Sequence, residues 1–210
     1  MKAYKTNLIL IFLLLGISPW AFSASAEMSS KHLRLVKDLM NNNLAYSQDA
    51  TTTNIIEWEE EIVDSLRQKK DYRNMFLMKQ MAVYAYSLQA KISEALKKAD
   101  AMMDEARLMK YNIGISLSYQ ALGDIYLNAG MRPEAVEEYE KAMKTLQATP
   151  HAEKIQERIF IQLVPTLIKL KRMDEAKAYL EHMSEICESK CLSLFFSMPT
   201  MHTITYAITT

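Results

Sequence analysis

Tyr119 to Ala142 read YQALGDIYLNAGMRPEAVEEYEKA. Large or small packing residues fall at Tyr119, Leu122, Gly123 and Tyr126, the three-and-four spacing of one helical face. Gly130 then ends that helix, because glycine adopts at no steric cost the left-handed backbone that closes a last turn. Pro133 opens a second helix, where first-turn amides have no intrahelical acceptor and a missing N–H is harmless. Ala135, Tyr139 and Ala142 recur along that second helix. A link this short makes the two helices antiparallel neighbours. Gly123 and Ala135 are small where the pair must approach closely, and Tyr119, Tyr126 and Tyr139 fill the space around them.

The same grammar extends outward. Apolar periodicity predicts helices over about 54–69, 72–88, 92–109, 112–129, from Pro133 onward, 152–170 and 173–187. Thr-rich 49–53 reads as a polar gap that caps the first of these, and Pro165 is expected to bend or split the helix that contains it. Three helix pairs align on a small residue of their second helix: Ala95, Ala135 and Ala176, at intervals of 40 and 41 residues. One pair alone leaves an apolar face uncovered, so a repeated pair implies stacking. The expected fold is all-α, an α-α superhelix built as a solenoid of antiparallel helix pairs.

The run Tyr119, Leu122, Gly123, Tyr126, Gly130, Ala135, Tyr139 and Ala142 closely resembles the tetratricopeptide repeat signature. Tyr119 stands in the usual tryptophan position and Tyr139 in the usual phenylalanine position, while Gln147 replaces the proline that often closes a repeat. The flanking copies are weaker. They hold Lys79, Ala82, Val83, Tyr86, Ala99 and Met102 before the central pair, and Phe160, Leu163, Val164, Leu167, Leu180 and Met183 after it. Val164 takes the glycine position and is expected to hold its helices further apart. The division expected is a signal peptide at 1–26, an N-terminal cap or degenerate repeat at 27–70 with a short helix at 27–41, repeats at 71–110, 111–150 and 151–187, and an incomplete helix or tail at 188–210.

The resemblance implies a protein- or peptide-binding scaffold whose groove is lined by the first helix of each pair. Lys79, Asn112, Ser116, Gln120, Asp124, Asn128 and Gln156 are the polar candidates there, although an ordinary surface role suits each. The long repeats after a signal peptide also resemble the periplasmic sensor region of bacterial histidine kinases or helix-turn-helix regulators. That likeness implies a later membrane helix and output domain; the chain departs from it after about 185 and reads as a truncated sensor.

Composition agrees with a helical scaffold. Half of the 210 residues are apolar, with 15 Met, 11 Tyr and only four Gly and five Pro. The formal net charge is 0, without the positive footprint that nucleic-acid binding needs. Its basic clusters, 67–70 and 169–172, fall at predicted helix ends, where they favour the dipole. Lys2 and Lys5, the apolar run Leu8–Ile17 and Ala24-Ser25-Ala26 form a secretory signal, with cleavage expected between Ala26 and Glu27. The protein is therefore expected in the periplasm or otherwise outside the cytoplasm, touching membrane only if that segment is retained. Cys187 and Cys191 lie four apart, which is not a redox motif; packed thiols are the default reading and a disulfide the alternative. The four histidines are scattered, no phosphate loop or nucleophile elbow is present, and Glu59–Glu61 reads as a solvated face. Neither enzymatic activity nor a cofactor is expected. The apolar end, 188–210, is a candidate for self-association.

Overall fold

The computed structural model describes residues 50–190, with side chains from 55 to 184. The signal segment, the helix expected at 27–41, Cys191 and the tail lie outside the described residues, as does the side chain of Cys187. The described residues form seven helices and no strand: α1 (Ala50–Gln68), α2 (Tyr72–Leu88), α3 (Ile92–Leu108), α4 (Asn112–Asn128), α5 (Arg132–Leu146), α6 (Glu153–Lys169) and α7 (Met173–Lys190). None is long and apolar enough to cross a membrane. Two compact units divide at Asp71, with α1 in the first and α2–α7 in the second. α1 starts four residues earlier than expected: the Thr residues belong to its first turn, because β-branching costs a helix only a few tenths of a kcal/mol per residue, roughly.

Five of the six turns between helices share one geometry. In each, three residues separate the helices, and the middle one has left-handed backbone: Lys70 (φ 56°), Ala90 (58°), Lys110 (52°), Gly130 (80°) and Lys171 (61°). Two backbone bonds close every one of these helices in the same way. At α3, the Lys110 N–H donates to Arg107 O and the Tyr111 N–H to Ala106 O, both at 3.0 Å. This is the Schellman closure. The residue that completes it also starts the next helix. Lys91, Tyr111, Met131 and Arg172 each close one helix through their N–H and accept the first bond of the next through their C=O. Ala95, Ala135 and Ala176 are donors of those first bonds, which fixes their place in each pair. The α5–α6 connection is longer, residues 147–152, with His151 left-handed instead.

Within the second unit, α4 packs against α2, α3 and α5, while α6 packs against α5 and α7. Two glycines of α4 permit this. A Cβ on Gly123 would lie 2.6 Å from the Tyr139 ring, and one on Gly114 would lie 3.0 Å from both Ala106 and the Phe76 ring. Ala95, Ala135, Ala142 and Ala176 are wholly buried, as is Tyr139. Tyr119, Leu122 and Tyr126 are partly buried. Val164 is buried where Gly123 sits one repeat earlier, and α6 and α7 pack less extensively than α4 and α5. Pro165 does not split α6, which runs unbroken from Glu153 to Lys169. Leu163, Val164, Thr166 and Leu167 are buried on both sides of the proline, and that burial outweighs its cost of about 3 kcal/mol.

Candidate functional site

Asp124 lies one turn before the end of α4, buried among groups from three other helices. The Tyr139 hydroxyl of α5 donates to its Oδ1 at 2.7 Å, and the Gln80 amide of α2 donates to its Oδ2 at 2.6 Å. Gln80 Oε1 accepts in turn from Arg158 Nη2 of α6 at 3.2 Å. A second contact joins the same outer helices: Arg73, in the first turn of α2, donates to the carbonyl of His151, just before α6, at 3.3 Å. The first helices of the three pairs are thus linked on one face, and the middle of that face is filled by its own side chains.

Burial raises the Asp124 carboxyl to about 6, against the opposing pull of the Tyr139 and Gln80 hydrogen bonds and the Arg158 charge. Burial and the neighbouring Asp124 charge push the Tyr139 and Tyr84 phenols upward, so Tyr139 keeps its proton and acts as the donor. Two buried polar atoms among the described residues have no hydrogen-bond partner: Gln120 Oε1 and Arg158 Nε. They are a spare acceptor and a spare donor.

The sequence candidates do not assemble into one open groove. Gln120 and Asp124 share the buried face. Lys79 turns to the other side of α2 and pairs with Glu105 of α3. Ser116 is fully buried between α4 and α5, donating to Ala142 O at 3.0 Å, so its hydroxyl is a packing group and not a groove contact. Asn128 donates to Ser87 Oγ at 2.8 Å and ties the ends of α4 and α2 together. Asn112 is exposed in the first turn of α4. Gln156 lines a cavity of about 290 Å³ bounded by α5, α6 and α7. Gln80, Tyr84 and Arg158 were missed. Shifting the sequence by the 40-residue interval sets Gln80 on Gln120 and Tyr84 on Asp124, a signal that could have found two of them. Among the described residues no three His, Cys, Asp or Glu side chains are grouped to hold a metal ion.

Residues 117–145, which span most of α4 and α5, match the family model of the tetratricopeptide repeat. Residues 117–145 thus form a tetratricopeptide repeat. The matched segment contains Gly123, Tyr139 and Asp124, so this repeat carries both the close Gly123–Tyr139 contact and the buried carboxylate. No curated protein matches the chain.

Proposed function

We propose that the protein is an exported scaffold that binds a protein or peptide without acting on it chemically. The observation that carries the reading is the tetratricopeptide repeat at 117–145 set in a stack of antiparallel pairs, an architecture whose extended surfaces serve binding. The Lys2–Ala26 segment supports export.

Affinity capture from the extracytoplasmic fraction tests binding, comparing resin that carries the immobilised chain with bare resin. A defined polypeptide recovered by the first and lost with the second is the expected outcome. Recovery of the same background by both sinks the reading. N-terminal sequencing of the exported chain should begin at Glu27; an intact Met1 found only in the cytoplasm would refute export.

A further inference from the structure

We infer that Asp124 works a proton-operated latch: its carboxylate holds the Gln80 amide turned so that Arg158 clasps α6 to α2, and protonation turns that amide over and loosens α6. The latch stands whatever the scaffold binds.

It follows from what each group can donate or accept. An ionised carboxylate only accepts hydrogen bonds, and a guanidinium only donates them. Gln80 is buried between the two. Its Nε2 donates to Asp124 Oδ2 at 2.6 Å, and its Oε1 accepts from Arg158 Nη2 at 3.2 Å. The charges on either side therefore fix which way round the amide lies. Among the described residues Arg158 makes no direct ion pair, so Gln80 is its link to the Asp124 charge.

Protonation changes one acceptor into a donor. The Tyr139 hydroxyl keeps its own proton, donates it to Oδ1 and has no second hydrogen bond among the described residues. The added proton therefore goes to Oδ2, where it meets the Gln80 N–H. Two donors cannot share that contact, and the amide turns over to offer its oxygen. Its NH2 group then faces the guanidinium, again donor against donor, and the clasp is lost. Gln120 Oε1, buried and unpaired one turn earlier on α4, is the rival acceptor; a proton sent there would leave the amide unturned. The other link between these helices, from Arg73 to the His151 carbonyl, involves no titrating acceptor, so α6 loosens without departing.

The surrounding groups set the direction. Tyr84 and Gln80 face Asp124 from α2, Tyr139 from α5 and Arg158 from α6, while no group of α3 acts on its charge. Burial brings the carboxyl up to about 6, within reach of mild acid, and the Arg158 charge opposes that rise. Because Arg158 favours the ionised carboxyl, protonation must weaken the hold of Arg158 in equal measure.

The test is amide hydrogen exchange of the full chain at pH 5 and pH 7, normalised for the intrinsic effect of pH on exchange. Protection around Gln80 and within α6 should fall about tenfold on acidification. Burial of Asp124 alone predicts the opposite sign, since its protonation favours the folded state. Asp124→Asn presents an NH2 group to Gln80 as the protonated acid presents its O–H, so at pH 7 it should show the low protection of the wild type at pH 5. The reciprocal effect is read from the Asp124 carboxyl by carbon NMR: Arg158→Ala should raise its titration midpoint by about one pH unit, the same tenfold factor. Protection that is flat or rises on acidification, Asp124→Asn protected like the wild type at pH 7, or a midpoint that Arg158→Ala leaves in place would each overturn the latch.

Discussion

Gly123 and Tyr139 share one piece of space. A methyl on Gly123 would collide with a ring that is wholly buried and tethered through its hydroxyl to Asp124, so the ring cannot swing aside. Alanine gains about 1 kcal/mol in helix propensity over glycine. The collision outweighs that gain, and Gly123→Ala should lower stability by about 2 kcal/mol in urea unfolding; a neutral or stabilised variant would show that the helices can part. Asp124 makes a different prediction. Its folded carboxyl lies at about 6, above the ordinary value of 3.8, so the folded state binds a proton that the unfolded state has already released. The contribution of this group is therefore fully favourable below about pH 4 and declines as pH rises through 6, by up to about 3 kcal/mol. Asp124→Asn should abolish that decline, and unfolding curves at pH 4, 5, 6 and 7 read it directly. Parallel profiles for the two chains would contradict the burial argument.

At the scale of the helix and its turn, four L-residues, Lys70, Ala90, Lys110 and Lys171, adopt backbone that only Gly130 adopts without strain. Ala90→Gly should stabilise the chain by about 1 kcal/mol, and Gly130→Ala should destabilise it by a similar amount. Nothing lies within 4 Å of where a Gly130 methyl would go, so that cost is purely conformational. Paired thermal melts check both; shifts of the same sign would refute the strain account. Helix positions were legible in the sequence because their apolar spacing and the Gly130–Pro133 punctuation are local signals. The other turns were harder to read, since Lys and Ala carry no mark of left-handed backbone. The same division holds at the site. Gly123 and Tyr139 are linked by a local motif, whereas Arg158 reaches Gln80 across 78 positions of sequence that no spacing rule connects. The surroundings of Ser116 and Gln156 were not legible for a related reason: a polar residue on a first helix does not announce which of its several neighbours it faces.

Across the second unit, α2, α4 and α6 are joined by side chains and not only by stacking. In an ordinary solenoid each pair touches only the next. Here Arg158 and the His151 carbonyl bring the third pair directly to the first. Removing the guanidinium should therefore be felt at a distance. Arg158→Ala is expected to raise amide hydrogen exchange around Gln80 in α2 as well as within α6. Exchange confined to α6 would mean the link carries no energy.

That link alters how the array comes apart. A row of units coupled only to their neighbours can fray from its end, one hairpin at a time, with the earlier hairpins keeping their protection. A clasp between the first and third forbids that order, because peeling away α6 and α7 also strips Gln80 of its guanidinium partner and leaves the Asp124 carboxylate without its nearby positive charge. The three hairpins should then melt as a single cooperative block.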